Sequence, residues 1–289
     1  MAYDAKGWDE DLHKVMRRML DSSSCFTTPI SISLNNDMTG KHLGTGSFVD
    51  IGPIAVLLSC EHVLGFRRTN RLAHRFLGRD HYFLIDGAGA YAPEPVDAAV
   101  AVVSREAFEE PWCRSRAIPL DRFAAKHDPE PDEIFFVHGF AVENSQFVYD
   151  TLRTDGTAYL CREVPLPGDP RMIPEVHFAL EYRRDIAVRS FGDHDLPDPH
   201  GMSGSVVWNT KYRQCAVEKR EWSPDQAVVT GLLWAWPHES RIIATRVEYL
   251  REFFSSIEHS WSDAANAPPL TAPDDTAVPK PSGASGPCE

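Results

Sequence analysis

The feature that most constrains the fold of this chain is a succession of short apolar segments separated by Gly, Pro, Asn and Asp turns. Short runs of this kind, bounded by turn residues, are typical of β-strands. We predict strands at 30–34, 47–51, 54–59, 82–85, 98–103, 134–137, 176–180, 205–208, 228–233 and 242–244. Many short strands with few helical patterns between them indicate an antiparallel sandwich or barrel.

A helical spacing of three and four residues replaces the strand pattern near both ends. The apolar positions are Leu12, Val15, Met16, Met19 and Leu20 in the first stripe and Val247, Leu250, Phe253, Phe254 and Ile257 in the second. Each set lies on one face of a helix. We expect the first helix to pack onto the body of the protein, or alternatively to bind a regulatory partner. The second predicts a C-terminal helix over 246–257 that covers one edge or end of the β structure.

The charge balance argues against one class of partner. The chain carries 29 Lys and Arg against 42 Asp and Glu, a formal net charge of −13. A chain this acidic repels a phosphate backbone, so we expect no nucleic-acid binding. No stretch approaches the roughly 18 uninterrupted apolar residues that a membrane span needs, so we expect no membrane segment.

Targeting signals and cysteine spacing indicate the compartment. The segment at 1–20 mixes both charge signs and lacks an apolar core, unlike a secretory signal. The six cysteines are Cys25, Cys60, Cys113, Cys161, Cys215 and Cys288. No pair has the spacing of a zinc knuckle or a CxxC redox site. We therefore expect reduced thiols in a cytoplasmic protein.

Three segments contain residue types that can perform nucleophilic catalysis. In GTGSFVDIGPIAVLLSCEHVLG, a glycine-rich turn leads through two strands to His62. In PVDAAVAVV, Asp97 stands directly before a small apolar strand. In DLPDPHGMSGSVVW, Ser203 lies in a glycine-flanked turn that runs into a strand.

These segments resemble motifs of the trypsin-like (chymotrypsin-fold) serine peptidases, especially the bacterial, disulfide-free branch that includes the high-temperature-requirement proteases. In that family G-[ST]-G-x-x-V precedes the histidine, the aspartate opens D-x-A-[LV]-x-[VL], and the serine lies in G-x-S-G-[GS]. All three patterns are present here, in the family's order His, Asp, Ser. EIFFVHGF, VVTGLLWAW and RIIATRVEYLREFF resemble strands of the second barrel and the terminal helix. The resemblance spans residues 28–258.

The resemblance implies an all-β fold of two six-stranded antiparallel β-barrels with an N-terminal and a C-terminal helix. The expected organisation is an N-terminal helical extension over 1–27, a peptidase domain over 28–258 with the barrels split near 115–130, and a disordered Pro- and Ala-rich tail over 259–289. It implies a serine endopeptidase acting on a protein or peptide substrate, with no cofactor and no metal. A regulatory protein partner is a further expectation, since a cytoplasmic protease must be restrained.

The residue types fit the roles that the resemblance assigns. A serine hydroxyl is a poor nucleophile at neutral pH and needs a base to take its proton. His62 is the expected base and later the acid, and Asp97 is expected to orient its ring. The backbone N–H groups of Gly201 and Ser203 are the expected donors of an oxyanion hole.

The resemblance places the substrate pocket between the segment before the serine and the strand near residue 230. The expected lining residues are Pro197, Asp198, Leu233, Trp234 and Ala235. Asp195 and Asp198 would favour a basic substrate side chain, whereas Leu233 and Trp234 would favour an apolar one. We expect an apolar or small side chain.

Several alternatives stay open at this level. Glu61 stands before the histidine where the family has a small residue, and Met202 stands before the serine. These departures leave room for a latent or inactive protease-fold module that acts in protein binding. Asp86 competes with Asp97 as the acid. A metal site would need the cluster of Asp193, His194, Asp195 and His200, which lacks HExxH or CxxC spacing.

Overall fold

The computed structural model describes residues 5–34, 39–79, 81–148, 151–183, 196–238 and 240–266. The first part contains α1 (Ala5–Ser23), β1 (Thr27–Leu34), β2 (Thr39–Ile51), β3 (Ile54–Ser59), α2 (Glu61–Leu64), β4 (Arg71–Arg75), β5 (Tyr82–Leu84), β6 (Gly89–Ala92), β7 (Ala98–Val102), α3 (Glu106–Glu109) and β8 (Ile118–Pro119). The second contains β9 (Phe135–Val148), β10 (Thr151–Cys161), β11 (Glu163–Val164), β12 (His177–Glu181), β13 (Val206–Asn209), α4 (Tyr212–Val217), β14 (Val228–His238), β15 (Arg241–Arg246) and α5 (Val247–Asn266).

The strands form two curled antiparallel sheets, each a half-barrel. The first has the order β5-β4-β1-β2-β3-β7-β6, and β8 pairs with β2 in parallel. The second has the order β10-β9-β13-β14-β15-β12-β11. The all-β class with two half-barrels and a helix towards each end is confirmed.

The number of strands in each half-barrel differs from the six expected, since seven follow one another in each sheet. Every strand predicted from the sequence overlaps an observed strand. The additional strands include β4, with the sequence RLAHR, and β6, with the sequence GAYA. Their charged, alanine and glycine residues hide the alternation that marks a strand, and they are held by pairing with β1 and β7.

Both terminal helices bury the stripes that the spacing predicts. In α1, Val15, Met16 and Met19 are buried, and the helix contacts β9 and β10. In α5, Val247, Leu250, Phe254 and Ile257 are buried, and the helix contacts β14 and β15. Helix α5 runs to Asn266, which is beyond residue 258, the predicted end of the domain. Residues 267–289 of the expected tail lie outside the described residues.

The connection between the half-barrels is tied down by backbone and aromatic contacts. Phe123 bridges to Val229 of β14, and the Ala124 N–H donates to the Val229 carbonyl at 2.9 Å. The Phe123 ring meets Phe254 of α5 edge-on, with 5.2 Å between ring centroids. One hydrophobic cluster therefore continues through both half-barrels, and a second fills the interior of the second half-barrel alone. None of the helices in the described ranges has the length and apolar character needed to cross a bilayer.

His74 gives the fold a measurable dependence on pH. Its ring is buried among Phe48, Phe76 and Phe83, with centroid distances of 4.9–5.9 Å, and burial lowers its pKa to about 3. The unfolded chain, with an ordinary pKa near 6.5, therefore binds the extra proton between pH 6.5 and 3. This histidine lowers the free energy of unfolding as the pH falls through that window, by up to about 1.4 kcal/mol per pH unit.

We expect His74→Leu to lose less stability than wild type between pH 6.5 and 4, measured by urea unfolding at each pH. His259→Leu is the matched control, because this imidazole is exposed on α5. An unchanged pH dependence in a folded His74→Leu would contradict the prediction.

Candidate active site

His62 and Asp97 are brought together by two hydrogen bonds. His62 lies in α2, directly after β3, and its side chain is 48% exposed. Its Nδ1 lies 2.6 Å from Oδ2 of Asp97, and its backbone N–H donates to Oδ1 at 3.0 Å. The Asp97 side chain is only 5% exposed. A nearly buried carboxylate thus fixes both the ring and the backbone of a half-exposed histidine.

Ser203 lies in a turn whose two glycines cannot be replaced without strain. Gly201 has φ +92° and Gly204 has φ +93°, in the region that favours glycine. A Cβ on Gly204 would lie 2.0 Å from the Thr45 carbonyl and 2.2 Å from Oγ of Ser59. A Cβ on Gly201 would lie 2.8 Å from the Phe140 carbonyl. The turn therefore lies against both half-barrels, and neither leaves room for a side chain at its glycines.

Alternate backbone amides of this turn donate hydrogen bonds within the protein, and those between them do not. Met202 N–H donates to Pro199 O at 2.9 Å, and Gly204 N–H donates to Leu233 O at 2.7 Å. Within the described ranges, the amides of Gly201 and Ser203 donate to no protein acceptor. The turn therefore contains two backbone donors without a protein acceptor among the described residues.

Thr45 of β2 holds the turn from the opposite half-barrel. Its N–H donates to Ser203 O at 2.8 Å, and its hydroxyl donates to Gly201 O at 2.8 Å. The same hydroxyl accepts the Phe140 N–H at 2.9 Å, and Thr45 has no exposed surface. One buried threonine thus fixes the carbonyls of both residues whose amides are free.

The segments of His62 and Ser203 meet at the carbonyl of Leu233. This oxygen accepts the Cys60 thiol at 3.1 Å and the Gly204 N–H at 2.7 Å. The Ser203 hydroxyl donates to Trp234 O at 3.2 Å. Among the described residues, no hydrogen bond joins Ser203 to His62. Such bonds are often long in an empty site and shorten when substrate binds.

The residues that depart from the family pattern are accommodated locally. The Glu61 carboxylate pairs with Arg68 at 2.9 Å, and the Arg68 guanidinium lies over the Tyr91 ring, 4.8 Å from its centroid. Met202 is fully buried in the core of the second half-barrel. Asp86 is exposed and has no hydrogen bond to His62 in the part of the chain that is described. Asp97 therefore occupies the place beside His62 for which Asp86 was the rival.

The ligand atoms of Cys60, His62 and Asp97 lie within 4.8 Å of one another, a spacing that a metal ion would accept. Metal binding would require the Cys60 thiolate. Burial raises the pKa of this thiol well above its ordinary value, and the Asp97 charge adds to the rise. The ring nitrogen is also already bonded to Asp97. The cluster is thus better described as a His–Asp pair beside a protonated thiol.

The second metal candidate of the sequence analysis lies mostly outside the described residues. Asp193, His194 and Asp195 are not described. His200 is exposed, and its ring contacts the Asp198 carboxylate in its own loop.

The expected pocket residues divide into several environments. Pro197 is buried, and its carbonyl accepts the Tyr182 hydroxyl at 2.6 Å. The Asp198 carboxylate accepts the His200 N–H at 3.0 Å. Leu233 and Trp234 are buried beside the Ser203 turn, 3% and 8% exposed.

Ala235 lies in β14, opposite Ile243. The assignment of these five residues to a substrate pocket stays a prediction.

Sequence reasoning did not find the roles of Thr45 and Leu233 O at this site. Thr45 carried a signal, since it is the middle residue of the GTG motif. The role of the Leu233 carbonyl had no sequence signal, because every residue has a backbone carbonyl.

No protein-family model and no curated protein matches this chain. Among solved structures, the active form of the Rv3671c protease from M. tuberculosis is similar, with a TM-score of 0.45 and 15% identity over 80% of this chain and 81% of that chain. A second similar structure comes from work on the coupled folding and binding of the intrinsically disordered VPg protein of Sesbania mosaic virus. It has a TM-score of 0.43 and 11% identity, over 78% of this chain and 93% of that chain. Similarity at this level does not assign a function, which depends on the site itself.

The burial of Cys60 has a chemical consequence. Because its pKa is raised and its side chain is inaccessible, we expect Cys60 to resist iodoacetamide at pH 8 in the folded protein and to react after unfolding. Mass spectrometry of peptides measures both states, with the partly exposed Cys113 as the internal control. Equal modification of Cys60 and Cys113 in the folded protein would contradict the described geometry.

Proposed function

We propose that this protein is a serine endopeptidase that cleaves protein or peptide substrates through an acyl-enzyme intermediate on Ser203. The observation that carries the proposal is the pair of hydrogen bonds that half-exposed His62 donates to the buried Asp97 carboxylate. It stands beside a glycine-flanked serine turn that has two free amides.

His62 would serve as the base because of the way Asp97 holds it. The carboxylate accepts the Nδ1–H, so the lone pair stays on Nε2. When Ser203 Oγ attacks the substrate carbonyl carbon, its proton passes to Nε2. Asp97 then stabilises the imidazolium without taking the proton itself.

The free amides of Gly201 and Ser203 would bind the developing oxyanion. As the carbonyl becomes tetrahedral, negative charge gathers on its oxygen, and fixed donors lower the energy of that state. One such donor lowers the barrier by about 2.7–4 kcal/mol. Thr45 fixes the turn before the reaction begins, so the donors need little reorganisation.

The reaction would then return the proton and regenerate the serine. The His62 Nε2–H protonates the leaving amine as the C–N bond breaks, which leaves the acyl group on Ser203. A water molecule gives a proton to His62 and attacks the acyl carbon. The bond between that carbon and Ser203 Oγ then breaks, the carboxylic acid leaves, and His62 returns the proton to Oγ. These steps need no metal or cofactor.

The resting position of the Ser203 hydroxyl supports a second candidate function. It donates to Trp234 O at 3.2 Å, and no hydrogen bond joins it to His62 among the described residues. This favours a latent protease that a partner activates, or an inactive module that binds proteins. We therefore propose regulated or narrowly specific cleavage.

The contacts of Asp198 support a substrate preference, and the free cysteines of the described residues support a location. The engagement of Asp198 with His200 favours an apolar or small substrate side chain over a basic one. The free cysteines support a cytoplasmic location.

Labelling with a fluorophosphonate probe tests the proposal, since the probe reacts with a serine that its base has activated. We expect wild type to be labelled and Ser203→Ala and His62→Ala to be unlabelled. Asp97→Asn should label about 10⁴-fold more slowly, because the His62 tautomer is lost. Asp86→Asn is the matched control and should label at the wild-type rate. An unlabelled, folded wild type would contradict a constitutively active endopeptidase and favour the latent protease or the binding module.

Thr45 offers a separate prediction. We expect Thr45→Val, which keeps the shape but loses the hydroxyl bonds to Gly201 and Phe140, to reduce the labelling rate roughly 100-fold through a displaced turn. Thr45→Ser retains the hydroxyl and should recover most of the rate. Equal labelling of folded Thr45→Val and wild type would show that the turn holds itself.

A further inference from the structure

The loop that carries Asp97 belongs to the first half-barrel but is held by side chains of the second. His177 Nε2 lies 2.8 Å from the Pro95 carbonyl. The Thr245 hydroxyl donates to the Val96 carbonyl at 2.8 Å. His177 and Thr245 stand directly opposite each other on β12 and β15. A single cross-strand pair thus binds the two residues that precede Asp97.

The hydrogen bonds of His177 fix its tautomer and its orientation. Its Nδ1 accepts the Ile173 N–H at 2.9 Å, so the proton lies on Nε2 and is donated to Pro95. The residue has no exposed surface, and burial lowers its pKa, so the ring is neutral. The charged groups that act on it are Arg246, Asp97 and Glu94.

Asp97 depends on support from its surroundings. Its φ of +47° lies in the left-handed region, which costs a residue with a side chain about 1–3 kcal/mol. The Val96 and Asp97 N–H groups both point to Pro93 O, at 3.1 and 3.3 Å, so 93–97 forms one tight turn. A conformation of this kind persists only where neighbouring contacts determine it. A shift of Pro95 is therefore transmitted to the Asp97 carboxylate.

His177 also touches the segment beside the serine. Its ring packs on Trp234 with 5.0 Å between centroids. The Trp234 carbonyl accepts the Ser203 hydroxyl. One buried ring thus contacts both the loop of the acid and the residue that holds the nucleophile at rest.

We propose that His177 is a positioning residue that keeps the Asp97 carboxylate in place against His62 by donating to the Pro95 carbonyl. The geometry of the His–Asp pair then depends on the docking of the second half-barrel against the first. This inference rests on the proposed function only for its kinetic readout.

The kinetic test compares His177→Leu, which removes the donor, with His177→Gln, whose amide can replace both hydrogen bonds. We expect fluorophosphonate labelling to slow about 100-fold in His177→Leu and to recover to within tenfold of wild type in His177→Gln. His127→Leu is the matched control. His127 is also buried, stacks on Phe178 at 3.9 Å and bonds to Thr230 and Glu163, and none of its hydrogen bonds among the described residues reaches the Asp97 loop. It should lose stability while labelling at the wild-type rate.

A second readout does not require activity. The proton between His62 Nδ1 and Asp97 gives a downfield ¹H NMR signal, and in a Ser203→Ala background we expect His177→Leu to shift it upfield or abolish it. His127→Leu should leave it in place. His177→Phe, which keeps a ring against Trp234 without a donor, replaces His177→Leu if that variant does not fold.

The two proposals fail separately. An unlabelled wild type rejects a constitutively active endopeptidase, while the NMR comparison still tests His177. An unmoved proton signal in a folded His177→Leu or His177→Phe overturns the positioning role, and so does labelling of either variant at the wild-type rate. A shifted signal, restored in His177→Gln, supports it.

Discussion

The candidate site depends on hydrogen bonds that cross the seam between the two half-barrels. Thr45 of the first binds both carbonyls of the Ser203 turn, and His177 and Thr245 of the second bind the loop before Asp97. The Thr45 hydroxyl bond to Gly201 is buried, and the bonds of His177 and Thr245 are partly buried. An unmatched polar group in a buried place costs about 1–3 kcal/mol. These hydrogen bonds run in both directions. The first half-barrel fixes the Ser203 turn of the second, and the second fixes the Asp97 loop of the first.

The site also places a buried carboxylate directly beside a half-exposed histidine ring. Asp97 is nearly buried, and its charge is compensated by two N–H donors from His62. The histidine ring that it orients is half exposed and can reach a substrate. Glu61, the acidic neighbour of His62, pairs with Arg68 instead. The negative charge that acts on the ring therefore comes from one defined direction.

The sequence predicts much of this arrangement because its signals are local. Asp97 opens an apolar strand, Ser203 lies between glycines and His62 follows a strand, so each position could be inferred from its neighbours. The supporting contacts could not be predicted in this way. Thr45 and Gly201 are 156 positions apart, and His177 and Pro95 are 82 apart. Such pairs meet only after both half-barrels have folded and docked.

The connection through Phe123 and Ala124 has a practical consequence. It is held to β14 by its own bridge and hydrogen bond, while the residues that follow at 128–132 are largely exposed. A break in that exposed stretch would give two fragments, one with His62 and Asp97 and the other with Ser203. Neither fragment would contain the whole site, and the seam that reunites them is the one that orients it. The two fragments therefore form a complementing pair, in which docking of the half-barrels would also restore the site.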